Sequence, residues 1–223
     1  MRVNKTAILL WAISSFSFTA ANADVSVVTS IKPVHSLVSG VMEGVSSPIV
    51  IIEGAGSPHT YSLKPSQARQ LQDADLVFWM GDELETFLEG PIKNIAKRAK
   101  SIKLIDSHGL KKIKFREGGM FEEHDDHDDH GDHDDHGHDK HAKDDHDDHG
   151  HGEFDPHVWL DPINAKAIVH EIEEALVKID PKNAKKYEAN ADRIAKQMDK
   201  LVEELREQLK PCLLYTSPSP RDS

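Results

Sequence analysis

Residues 122–151 read EEHDDHDDHGDHDDHGHDKHAKDDHDDHGH, with ten histidines and fourteen carboxylates in thirty positions. Imidazole is neutral near pH 7 and ligates zinc, copper and nickel, and carboxylates add harder oxygen ligands, so the chemistry written here is metal capture. Asp and Glu alone would make a solvating linker. The residues such a linker does not need are His124, His127, His130, His133, His136, His138, His141, His146, His149 and His151. The tract is built from near-repeats of His-Asp-Asp with no apolar side chain beyond Ala142. It cannot offset the entropy of ordering, so it is expected to be disordered when free and to offer many interchangeable weak sites. The repeats lack the D-x-D-x-D-G-x₅-E order of an EF-hand loop, which argues against a dedicated calcium site.

Two other histidines sit in settings of a different kind. His59 lies in EGAGSPHTYSLKPSQ, where two glycines and Pro58 shape a turn directly after an apolar run. His157 lies in FDPHVWLDP, and its aromatic and aliphatic neighbours limit solvent access and favour a neutral ring. Taken singly, either is more often an ordinary loop or core residue than a ligand. His35, His108 and His170 are read as structural, since HEIEE around His170 is not the H-E-x-x-H of zinc proteases.

The elements that must position these residues can be read from periodicity. Apolar runs at 25–29, 49–52, 76–80 and 102–105 are short and mostly continuous, as in strands covered on both faces. Helical patterns lie between them at 33–42, 65–71 and 82–99. The stretch GDELE places Asp82 as an N-cap with Glu85 three residues on, in capping-box spacing. Asp161-Pro162 and Asp180-Pro181 each set a carboxylate before a first-turn proline, the mark of a helix start. In the second helix Tyr187, Ala191, Ile194, Met198, Leu201 and Leu205 recur at steps of four and three, giving one apolar stripe. Strands alternating with helices predict an α/β fold with a parallel sheet, whose ligand sites lie beyond the carboxyl ends of the strands.

The formal charge of −12 over 223 residues is carried entirely by the His/Asp tract, so the remainder is formally neutral. Without a basic face, nucleic acid and anionic membrane are poor partners. Residues 1–23 have Arg2 and Lys5, an apolar run, and Ala21-Asn22-Ala23, the pattern of a secretory signal peptide cleaved after Ala23. No cysteine follows the run, so no direct membrane anchor is expected after cleavage. Residues 212–223, CLLYTSPSPRDS, break from the charged helical pattern and resemble the translation of a sequencing-library adapter. Cys212, the only cysteine, then carries no redox information.

Taken in order, SIKPVHSLVSGVMEGV, GSPHTYSLKPSQARQLQDADLVFWMGDELETF, the His-rich insertion and FDPHVWLDP resemble the ZnuA-type zinc-uptake solute-binding proteins of bacterial ABC transporters. The resemblance spans nearly all of residues 24–210. It implies two α/β lobes joined by a long rigid helix with Zn²⁺ in the cleft between them. It also implies that His59 and His157 are the two zinc ligands of the N-terminal lobe, and that the protein is a periplasmic, monomeric, non-enzymatic receptor delivering zinc to a membrane permease.

On this reading 1–23 is the signal peptide, 24–121 the N-terminal α/β lobe, 122–151 the metal-binding loop, 152–180 the rest of that lobe, 181–211 the start of the inter-lobe helix, and 212–223 an artefact. The resemblance implies that a second α/β lobe, with its further ligands, is not encoded in these residues. Two imidazoles leave a zinc ion with open positions, so this chain is not expected to build the complete high-affinity site, and its long helix should be only partly packed. The alternative function is a periplasmic metal buffer acting through the histidine tract alone. Imidazole ligation leaves copper and nickel as competing metals.

Overall fold

The computed structural model describes residues 24–114 and 154–213. The signal-like segment, the ten tract histidines and the C-terminal stretch read as adapter, apart from Cys212 and Leu213 at the helix end, lie outside the described residues.

Four strands form one parallel sheet: β1 (Val27–Thr29), β2 (Ile49–Val50), β3 (Leu76–Trp79) and β4 (Lys100–Lys103), in the order β2-β1-β3-β4. In register, Val28 stands opposite Ile49 on one side and Val77 on the other, and Phe78 opposite Ile102. The central strands β1 and β3 are buried at every position, which is why their sequences run apolar without alternation. At the edges the pattern relaxes, and β4 buries only Ile102.

Helices α1 (Lys32–Val41), α2 (Pro65–Asp73) and α3 (Thr86–Asn94) connect consecutive strands. The β1-to-β2 step moves one way across the sheet and the next two steps move the other. Right-handed crossovers therefore put α1 on one face and α2 and α3 on the opposite face. Two later helices, α4 (Pro162–Ile179) and α5 (Ala184–Leu213), pack on each other and on α1. The core joins Val28, Val34, Val38, Phe78, Leu88, Ile168, Ile172 and Tyr187, each nearly or wholly buried.

Helix starts follow the sequence at α2 and α4 and depart from it at α3 and α5. Asp161 caps α4 by accepting from the Ile163 N–H at 2.8 Å. Asp82 is not an N-cap: α3 begins at Thr86, and the Glu85 carboxylate turns inward to accept the Met80 and Gly81 N–H groups at 2.9 and 3.0 Å. These donors lie just past β3, where Gly81 takes φ of 147° to make the turn. Asp180 likewise caps no backbone N–H. Its carboxylate accepts from the Asn183 amide and the buried Tyr187 hydroxyl, and a 3₁₀ turn, Pro181–Asn183, precedes α5.

The stripe on α5 divides in two. Tyr187, Ala191 and Ile194 are buried, Met198 is partly covered, and Leu201, Leu205 and Leu209 are exposed. At 1.5 Å per residue the thirty-residue helix is about 45 Å long, and its buried stripe residues all lie in its first half.

Candidate metal centre

The loop after β2 runs along the carboxyl edge of the sheet and carries His59, which is exposed. Across it stands His157, on the segment that follows the His/Asp tract. That segment is clamped to the chain just before the tract. Asp155 donates its N–H to the Ile113 carbonyl at 2.9 Å, and Lys114 pairs with Phe154 in an antiparallel bridge. The buried Asn164 side chain both accepts from and donates to the Lys111 backbone, at 2.8 and 3.0 Å. A 3₁₀ turn, Val158–Leu160, then leads into α4 with Val158 buried beneath it.

The structure brings the two sequence-nominated rings together. The centroids of His59 and His157 are 5.9 Å apart, with planes inclined at 49°. Two imidazoles sharing one tetrahedral zinc at 2.0–2.1 Å would have centres about 5.2 Å apart, and more if the angle at the metal opens. The observed separation falls within small side-chain adjustments of that value. A pocket of about 410 Å³ opens here, lined by His59, His157, Ile31, Ile52, Pro58 and Trp159 among others. The Trp159 ring lies 5.1 Å from that of His157 and shields it on one side.

The sequence reading passed over Asp155. Its Oδ1 accepts from the His157 backbone N–H at 2.9 Å and contacts Nδ1 of the same ring at 2.7 Å. These hydrogen bonds, backbone first, hold the Asp155 carboxyl below the usual carboxylate range. An ionised carboxylate can only accept, so Nδ1 carries a proton, and in the neutral ring Nε2 is the nitrogen left to ligate a metal. The signal was present in the sequence, since an acid two residues before a histidine on a proline-stiffened turn can reach back to the ring.

Among the described residues no group of three or more His, Cys, Asp or Glu side chains is arranged to hold a metal ion. The remaining described histidines with contacts lie elsewhere: His35 reaches the Pro48 carbonyl, and His170 pairs with Glu173 and Glu174 on the open face of α4.

The family model for zinc-uptake complex component A, periplasmic (ZnuA), matches residues 27–214. The chain belongs to the ZnuA family. It is 49% identical over 194 residues to the high-affinity zinc uptake system protein ZnuA of Brucella abortus (strain 2308), covering 83% of this chain and 58% of that protein. It is 39% identical over 215 residues to the protein of the same name from Paracoccus denitrificans (strain Pd 1222), covering 94% and 65%. Among solved structures, Zn(II)-bound AdcA from Streptococcus pneumoniae aligns with a TM-score of 0.61 at 22% identity, over 84% of this chain and 33% of that one. The Mn-bound periplasmic metal binding protein from Candidatus Liberibacter asiaticus aligns with a TM-score of 0.56 at 23% identity, over 84% and 55%. The two structures share the fold. The chain spans about 58% of the length of the Brucella relatives it matches.

Proposed function

We propose that this chain is the metal-receiving part of a periplasmic receptor that captures Zn²⁺ and passes it to the membrane permease of an ABC transporter. The observation that carries the proposal is the pairing of His59 and His157 across the carboxyl edge of the sheet, 5.9 Å between ring centres, with Asp155 leaving one nitrogen of His157 free for a metal. Membership of a family described as a zinc-uptake component supports zinc as the cargo, as do relatives named for high-affinity zinc uptake. Two imidazoles occupy two positions of a tetrahedral ion, so ligands from outside the described residues complete the site.

The His/Asp tract has a role that follows from where it is attached. On either side of the tract the described chain is bridged, Lys114 to Phe154, and Phe154 is three residues from His157. Metal held weakly on the tract is thereby kept at high effective concentration beside the paired rings.

The test is a zinc titration of the chain followed through the ring resonances of the two site histidines. Replacing His59 by alanine should weaken zinc binding at His157 at least tenfold, and the reciprocal variant should do the same to His59. If each ring titrates at an unchanged midpoint without the other, the shared site does not exist, and the chain is a buffer acting through its tract.

A further inference from the structure

His157 is held by its neighbour Asp155, but among the described residues no hydrogen bond reaches the ring of His59. Its loop, from 53 to 64, is mostly exposed, and Gly54 takes φ of 69° within it. The side chain that closes this loop is Gln67, on the first turn of α2 and buried to 7% exposure. Its Oε1 accepts from the Lys64 N–H at 2.9 Å, and its Nε2 donates to the Ile51 carbonyl at 2.7 Å and to the Tyr61 hydroxyl at 2.8 Å. One amide thus ties the entry of the loop, its exit, and a residue two positions from His59. The Tyr61 ring is wedged between Phe87, 5.2 Å away centre to centre, and Gly56. A Cβ on Gly56 would come within 3.1 Å of that ring and 3.0 Å of Ile52. The loop therefore folds over Tyr61 on both sides of His59.

We infer that Gln67, acting through Tyr61, is a positioning residue for the metal site, setting zinc affinity by holding the His59 loop in its binding geometry without touching the ion. This rests on the zinc-site reading above. If the loop were released, His59 would face His157 for only a fraction of the time, and apparent affinity falls in proportion to that fraction. The amide is suited to the task because both its donors and its acceptor are used, on three separate points of the chain.

The experiment is a double-mutant cycle on the whole chain, read from the zinc midpoint of the His157 ring resonance, with thermal unfolding measured alongside. Gln67→Met keeps length and burial and loses all three bonds. Tyr61→Phe keeps the ring and loses the hydroxyl, and is the milder probe should Gln67→Met fold poorly. The expected result is a midpoint raised about tenfold by Gln67→Met and about threefold by Tyr61→Phe. Neither should cause a further change when His59 is already alanine. A folded Gln67→Met or Tyr61→Phe variant with a midpoint within 1.5-fold of the parent would overturn the inference. So would the same loss appearing in the His59→Ala background, which would make the effect a general loosening of the fold. If His59→Ala alone changes nothing, the paired site itself is wrong and the inference falls with it.

Discussion

The two histidine-bearing segments meet at one place but are ordered in different ways. His157 sits on a short turn, its ring held by a carboxylate two residues away and flanked by Trp159. His59 sits in a long exposed loop whose fixed points are Ile51, Tyr61 and Lys64, all gathered by a side chain on the next helix. One histidine is held locally, and the loop of the other is held from a distance. Disturbance elsewhere in the fold should therefore reach His59 first, and His157 should respond only to changes beside it.

Glu85 offers the largest effect with which to break that contrast. It is fully buried at the end of β3, and the Ser30 hydroxyl lies beside it. Burial, only partly offset by hydrogen bonds, raises its carboxyl to about 7 from an ordinary 4.5. The folded chain then binds more protons than the unfolded chain between those values. Stability therefore falls as pH rises from about 4.5 to about 7, and the full penalty applies above that range. At about 1.4 kcal/mol per pH unit the contribution is of order 3 kcal/mol. Glu85→Gln should keep an acceptor for the Met80 and Gly81 N–H groups and place an amide toward the Ser30 hydroxyl beside it. Thermal unfolding at pH 5 and 7.5 should show the parent losing stability relative to the variant as pH rises. Parallel curves would mean that the carboxyl is ionised throughout. Phe87, which backs Tyr61, follows Glu85 by two residues, so any change in zinc binding at high pH should appear at His59 and leave the Asp155–His157 contact intact.

The locally held side is tested by Asp155. Replacement with alanine removes the acceptor at Nδ1, and loss of such an outer partner typically costs 10–100-fold in metal affinity. The zinc midpoint should shift by about that much, and the ¹⁵N pattern of the free ring should move toward the tautomer with the proton on Nε2. Asp155→Asn, which keeps an acceptor oxygen, should recover most of the affinity. An unchanged tautomer in Asp155→Ala would show that the turn, rather than the carboxylate, orients the ring.

These residues also show how much of the fold and site is legible in the sequence. The central strands β1 and β3 were plain as apolar runs because burial on both faces of a parallel sheet removes alternation, whereas the run 102–105 meets β4 only at Ile102 and Lys103 and continues into a 3₁₀ turn. His59 and His157 stood out within loops rich in Gly, Pro and aromatic residues. Strand order was not readable, because a run such as 49–52 does not say which neighbour it pairs with. Glu85 was misread because an Asp-x-x-Glu spacing looks the same whether the glutamate faces solvent as part of a cap or turns inward onto the preceding strand. Gln67 and Asp155 differ in legibility: Asp155 reaches the His157 ring from only two residues away, whereas Gln67 bonds Ile51, Tyr61 and Lys64 and no histidine, contacts that only folding makes. The apolar stripe of α5 was visible in full, yet that its burial fades beyond Met198 is not written in the stripe itself.

The smallest effect sharpens the contrast most. Asp161 lies four residues beyond His157 and caps α4 through the Ile163 N–H. Asp161→Ala should cost about 1 kcal/mol of stability, the usual loss of a helix cap. If His157 is held by its own carboxylate, that loss stays in the helix and the zinc midpoint remains within twofold of the parent. The 3₁₀ turn between them has bonds of its own, from the Leu160 N–H to the His157 carbonyl and from the Asp161 N–H to the Val158 carbonyl, and neither uses the Asp161 side chain. Should affinity fall in step with stability, His157 would depend on the start of α4 as His59 depends on the start of α2. The two ligands would then be ordered by the same device, each by the helix that follows it.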